Sequence, residues 1–176
     1  MAIVCAFYKG TRAENPRARL FDRVVTWWPR SRGRFSHCEL VASREGLQAK
    51  CWSASSLDGS RVRAKEINLG TGRWVLVILQ DLEAAPALTW FEGAEGRGYD
   101  YPGILGFVWR RIKQVRRWLF CSEAVASAIA AAARACNRPH LAPPDTNVSP
   151  SKLFAWCSAQ PGARVIEVPN LERAHA

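Results

Sequence analysis

A cysteine stands at the start of the most strongly helix-forming stretch of the chain. Cys121 follows three large apolar residues, and positions 122–136 are dominated by alanine, the best helix former. The sequence therefore predicts a helix from Ser122 to Cys136. At a helix start, unpaired N–H groups and the helix dipole stabilise an anion, and the thiolate is the reactive form of cysteine. Cys121 is thus a candidate nucleophile; the alternative is a cysteine buried in the core.

A thiol nucleophile needs a base, and the chain contains three histidines. His175 lies in the C-terminal tail, and His140 lies in a proline-rich loop. His37 falls in the middle of a strand predicted over 35–42, and a strand would hold its side chain rigidly, as a general base requires. Alternation along that strand predicts one face with Phe35, His37, Glu39 and Val41. The alternative for His37 is a half-buried histidine with only structural hydrogen bonds.

These residues resemble the motifs of one enzyme family. Phe35-Ser36-His37-Cys38-Glu39-Leu40-Val41 resembles the histidine strand of NlpC-type papain-like thiol hydrolases. Phe120-Cys121-Ser122-Glu123 resembles their nucleophile at the start of the core helix. The histidine precedes the cysteine here, as in the circularly permuted branch that includes YiiX-like proteins and lecithin–retinol acyltransferase relatives. Gly98-Tyr99-Asp100 and Ser149-Pro150-Ser151-Lys152-Leu153 resemble further segments of that branch.

The resemblance implies that Cys121 is the nucleophile and His37 the general base. The family places a third polar group on the following strand, where the hairpin alignment puts Ser53, although serine orients an imidazole weakly. Glu39 is the preferred candidate because it shares a strand face with His37, and a carboxylate beside an imidazole favours a thiolate–imidazolium pair. The alternative role for Glu39 is a structural ion pair with an arginine.

Two further roles complete the expected site. The backbone N–H of Cys121 would stabilise the oxyanion of the reaction. Tyr99 or Tyr101 would supply a second donor or line the substrate pocket, or else belong to the core. The absence of any C-x-x-C pair among the six cysteines argues against a structural zinc site, so we expect free thiols, no metal and no cofactor.

The chain also carries a large excess of positive charge. Its formal net charge is +10 and its pI is about 9.9, which favours anionic partners such as nucleic acid, lipid head groups or acidic cell-wall polymers. Basic residues alternate with tryptophan in one cluster: Arg110, Arg111, Lys113, Arg116 and Arg117. The alternative is an ordinary solvated helix face, and no nucleic-acid-binding motif accompanies the cluster.

The order of predicted elements indicates a single α+β domain over 1–176, with an antiparallel sheet packed against helices. Strands are predicted at 2–8, 35–42, 47–53, 61–67, 74–79 and 164–168, and helices at 16–28, 84–93, 104–115, 122–136 and from 150. The run 75–79 has no polar break, which predicts an interior strand covered on both faces. The N-terminal segment lacks the pattern of a signal peptide and no run is long enough to span a membrane, so we expect a cytoplasmic protein.

The predicted function is hydrolysis of an amide or ester bond through a thioacyl intermediate formed by Cys121 with His37. The substrate would be a peptide, a cell-wall peptide or a lipid. A lipid acyltransferase would differ only in the acceptor. The rival hypotheses are a non-catalytic module that binds nucleic acid or a membrane surface, and an inactive relative in which neither Ser53 nor Glu39 orients the imidazole.

Overall fold

A computed structural model describes residues 1–10, 34–55, 59–98, 119–144 and 148–170 of the chain. Its strands are β1 (Ala2–Lys9), β2 (Phe35–Glu45), β3 (Gln48–Ser55), β4 (Arg61–Asn68), β5 (Trp74–Glu83) and β6 (Arg164–Glu167). They form one sheet in the order β4-β3-β2-β1-β5-β6, and every neighbouring pair is antiparallel. The predicted α+β class with an antiparallel sheet is confirmed.

The helices of the described residues are α1 (Ala84–Ala94), α2 (Cys121–Ala135) and α3 (Pro150–Ser158), with a 3-10 turn at Pro139–Leu141. Helix α2 packs against β2, β3 and α1, and its small alanines allow a close approach to the sheet. Helix α3 begins where predicted, because the Ser149 hydroxyl accepts a hydrogen bond from the Lys152 N–H and Pro150 suits the first turn. None of the helices in the described ranges has both the length and the apolar character needed to cross a membrane.

Two apolar clusters are built on the sheet. The larger contains Val75, Val77 and Leu79 of β5 together with buried residues of the helices. The smaller contains Leu76 of the same strand with residues of neighbouring strands. Successive residues of β5 are therefore covered on both faces, and β5 lies between β1 and β6. This confirms the interior strand predicted from its unbroken apolar run.

The face predicted for Phe35 was wrong. Strict alternation assigns it to the face of His37 and Val41, but Phe35 belongs to the larger cluster together with Cys38, and its ring lies 4.5 Å from that of Phe154 in α3. The reason is a register shift: β1 pairs Tyr8 with His37 but Lys9 with Phe35, which leaves Ser36 as an extra residue. Such a bulge reverses the alternation locally.

Two predicted helices, 16–28 and 104–115, lie outside the described residues. The permuted papain-like topology and the assignment of the whole chain to one domain remain predictions.

Candidate active site

Cys121 is the first residue of α2, one position earlier than the predicted helix start. The Glu123 carboxylate accepts a hydrogen bond of 3.2 Å from the Phe120 N–H, and an acidic residue in the first turn complements the helix dipole. The Ser122 hydroxyl donates to the backbone carbonyl of Val148. These bonds fix the start of α2, and therefore the position of the Cys121 side chain.

The Cys121 thiol lies in a nearly closed environment, with 1% of the residue exposed. Burial alone would raise its pKa, but a hydrogen bond from the Cys38 thiol and the charge and hydrogen bond of His37 lower the pKa well below its ordinary value. The two neighbours are adjacent residues of β2, which would normally point to opposite faces. The bulge at Ser36 lies directly beside them, and bulges re-aim side chains in this way.

His37 is 5% exposed, and its Nε2 atom lies 3.0 Å from Oε1 of Glu39. An ionised carboxylate can accept a hydrogen bond but cannot donate one, so the proton of this hydrogen bond is on Nε2 of His37. Cys121 also hydrogen bonds with the His37 ring, and proton exchange with the thiol then falls to Nδ1. Glu39 therefore makes the contact with His37 that the predicted orienting role requires, and the role itself stays a prediction.

An arginine completes the row on its far side. Arg63 of β4 donates from Nη1 to Oε2 of Glu39 and from Nη2 to Oε1, each at 3.1 Å, and both side chains are buried. Burial would raise the pKa of Glu39, but its hydrogen bond with His37 and the charges of His37 and Arg63 lower that pKa to about 2. Glu39 therefore stays ionised throughout the neutral range. Its contact with His37 and its ion pair with Arg63, which the sequence analysis treated as alternatives, are present together.

The sequence analysis did not single out Arg63. The only sequence feature that could have indicated Arg63 is its position in β4, between the buried Val62 and the partly buried Ala64. Only the pairing of β4 with β3, which puts Arg63 opposite Ser53, brings its guanidinium to Glu39.

Ser53 has a different task. Its hydroxyl donates to the backbone carbonyl of Cys38 at 2.8 Å and lies 3.3 Å from that of Ala54. Both contacts are with backbone, so Ser53 joins β3 to β2 beneath the site. This geometry favours Glu39 over Ser53 as the group that orients His37.

Several predicted residues lie outside the described part of the chain. They are the pocket candidates Tyr99 and Tyr101 and the basic cluster Arg110, Arg111, Lys113, Arg116 and Arg117. Among the described histidines, His140 is exposed on the 3-10 turn. Within the same ranges, no three His, Cys, Asp or Glu side chains are grouped so that they could hold a metal ion.

No family model, curated protein or solved structure matches this chain. The case for a function therefore depends on the geometry of Cys121, His37, Glu39 and Arg63.

Proposed function

We propose that this protein is a cysteine hydrolase that cleaves an amide or ester bond. The observation that carries the proposal is the buried row in which an imidazole bridges a thiol of lowered pKa and an ionised carboxylate. Perturbed titratable groups of complementary function cluster at active sites. A thiol, a base and an orienting group in sequence are the parts that nucleophilic catalysis needs.

The reaction would proceed in two halves. The Cys121 thiolate attacks the substrate carbonyl carbon, and backbone N–H groups at the start of α2 stabilise the oxyanion. His37 then protonates the leaving amine or alcohol, which leaves a thioacyl group on Cys121. In the second half, His37 takes a proton from a water molecule as the water oxygen attacks the thioester carbonyl. The C–S bond then breaks, the carboxylic acid leaves, and the Cys121 thiolate takes back the proton from His37. Throughout, Glu39 holds the proton of the ring on Nε2.

The proposal includes the finer fold assignment, a permuted NlpC-type papain-like domain. It is supported by the position of Cys121 at the start of a helix that packs on the strand of His37. A peptide, a cell-wall peptide and a lipid ester all present the carbonyl that this mechanism requires. An acyltransferase would share the first half and replace water by another acceptor.

The test is acylation by a small activated ester, p-nitrophenyl acetate, which suits a thiol with so little exposure. Mass spectrometry of the full chain should find a transient acetyl group on Cys121, and release of p-nitrophenol should continue after the first turnover. His37→Ala should abolish turnover, and Cys121→Ser should abolish acetylation.

The matched control is Cys136, which is partly exposed and lies at the opposite end of α2. Iodoacetamide at neutral pH should alkylate Cys121 faster than Cys136 despite the difference in exposure, because the thiolate is the reacting species. Alkylation that simply follows exposure, with no acetyl group on Cys121, would refute the hydrolase.

A further inference from the structure

The proposed mechanism leaves one neighbour of Cys121 without a task. The Cys38 thiol hydrogen bonds with the Cys121 thiol, and both residues belong to the same buried cluster where α2 packs on β2. Neither hydrolysis nor orientation of His37 requires a second thiol at this position. A second sulfur in contact with a reactive one is the arrangement in which oxidation leads to a disulfide.

Cys38 belongs to a row of buried thiols. Cys5 on β1 pairs with Leu40, and Cys38 pairs with Phe7, so Cys5 and Cys38 are diagonal neighbours on the same face of the sheet. Cys157 of α3 hydrogen bonds with Cys5. Cys38 is the member of this row that contacts Cys121, and burial together with the neighbouring Cys121 raises the pKa of the Cys38 thiol. Of the two thiols, Cys38 is therefore the one that keeps its proton when Cys121 ionises.

We propose that Cys38 is a resolving thiol, and that Cys121 and Cys38 form a reversible disulfide when a hydroperoxide oxidises Cys121. The inference rests on the proposed function only for the reactive state of Cys121. It adds a modification site and a means of switching off the nucleophile without loss of the protein.

The chemistry has two steps. The Cys121 thiolate attacks the terminal oxygen of the hydroperoxide, the O–O bond breaks, and the alcohol or water leaves with a proton from His37, so that Cys121 becomes a sulfenic acid. The Cys38 sulfur then attacks the Cys121 sulfur, the S–O bond breaks, and the hydroxide takes the Cys38 proton to leave as water. The two sulfurs supply the electron pair that reduces the peroxide.

Formation of the disulfide requires the two sulfurs to move closer together. The sulfurs must close from hydrogen-bonding contact to a bond of about 2.05 Å, across the contact between α2 and β2. The disulfide would remove the nucleophile from catalysis. It would also intercept the sulfenic acid before irreversible oxidation to the sulfinic acid.

The experiment treats the reduced full-length chain with hydrogen peroxide and maps the cysteines by alkylation and peptide mass spectrometry. We expect a peptide pair joined through Cys38 and Cys121, the loss of alkylation at both, and full recovery with dithiothreitol. Cys51 provides a buried control, because it belongs to the smaller cluster. Cys136 provides a more exposed control.

Two variants separate resolution from packing. Cys38→Ser should leave Cys121 as a sulfenic acid that dimedone traps, followed by sulfinic acid that dithiothreitol does not reverse. Cys5→Ser alters the same row without removing the partner of Cys121 and should still form the disulfide. The wild-type map stands by itself if a variant fails to fold.

A sulfinic acid on Cys121 in the wild type without a Cys38 linkage would overturn the inference, as would Cys38 joined to Cys5. Rapid alkylation of Cys121 without disulfide formation would contradict this inference but not the proposed hydrolase function. A disulfide between Cys38 and Cys121 in a chain that p-nitrophenyl acetate fails to acetylate would support this inference and contradict the hydrolase.

Discussion

Replacement of Glu39 by glutamine should remove a defined part of the acid dependence of stability. In the folded chain the pKa of Glu39 is about 2, against 4.5 for an unperturbed glutamate. Since one pKa unit corresponds to about 1.4 kcal/mol, the ionised carboxylate contributes about 3 kcal/mol to the free energy of unfolding at neutral pH. The side chain is fully buried, so solvent screening does not reduce this figure substantially.

The sign follows from the order of the two pKa values. The folded pKa is the lower one, so the unfolded chain binds the proton first as the pH falls. The contribution of Glu39 is therefore complete above pH 4.5 and is lost progressively toward pH 2. Glu39→Gln cannot ionise, so the wild type should lose about 3 kcal/mol relative to this variant across that window.

The assay is urea denaturation followed by tryptophan fluorescence at a series of pH values, since Trp52 and Trp74 are buried in the folded chain. Glu167→Gln is the control, because the Glu167 carboxylate also pairs with basic residues, Lys9 and Arg34, but is exposed and should contribute little. If the difference in free energy of unfolding between wild type and Glu39→Gln stays constant from neutral pH to pH 2, Glu39 is not the ionised partner of both His37 and Arg63.

Three further substitutions test one contact of the site and the packing of the fold elsewhere. Arg63→Met should destabilise the fold by about 3–5 kcal/mol, because it leaves a buried carboxylate with one charged partner; Arg63→Lys should cost less, and urea curves in which the two coincide would contradict the bidentate pair. Ile129→Ala, at a fully buried position of α2, should cost about 2–5 kcal/mol in the same assay, and a negligible change would contradict the packing of α2. Gly72→Ala should lower the melting temperature more than Gly46→Ala, although both glycines have positive φ. At Gly72 the new Cβ would lie 2.6 Å from a side-chain atom of Asn170, whereas at Gly46 it would meet no atom within 4 Å. Equal losses of melting temperature would contradict the contact with Asn170.

The elements of the fold could be predicted because their residues carry the pattern locally. The alanine-rich segment 122–136 forms a helix displaced by one residue, Cys121–Ala135. The apolar run 75–79 lies within β5, and the strand predicted at 2–8 is β1, Ala2–Lys9. In each case helix propensity or apolar patterning and the tertiary environment favour the same structure.

The register of the sheet could not be predicted in the same way. The extra residue at Ser36 depends on how β1 pairs with β2, and no pattern within 35–42 announces it. For this reason the predicted face of Phe35 was wrong. The contact of Cys121 with both His37 and Cys38 was likewise absent from the sequence analysis, since alternation would separate two adjacent side chains.

The candidate site was only half visible in the sequence. A cysteine at a helix start and a histidine within a strand could be recognised by type and position, and Glu39 by its spacing from His37. Arg63 could not be recognised in this way, because it lies on β4, and β3 separates β4 from the strand of Glu39. A long side chain that extends past the intervening strand leaves no trace in local periodicity.

The buried pair of Glu39 and Arg63 is itself an argument about function. Removing two charges from water costs several kcal/mol for each ion, and well-packed apolar residues of similar volume are often as stable or more so. Packing alone therefore gives no reason for a carboxylate and a guanidinium in a core whose other buried residues are mostly apolar. An apolar replacement could not fix the proton on Nε2 of His37 or stabilise the imidazolium, whereas an ionised Glu39 held by Arg63 does both. The proposed function requires both properties of a base for Cys121, and under that proposal the pair is explained by the chemistry of His37 rather than by the stability of the sheet.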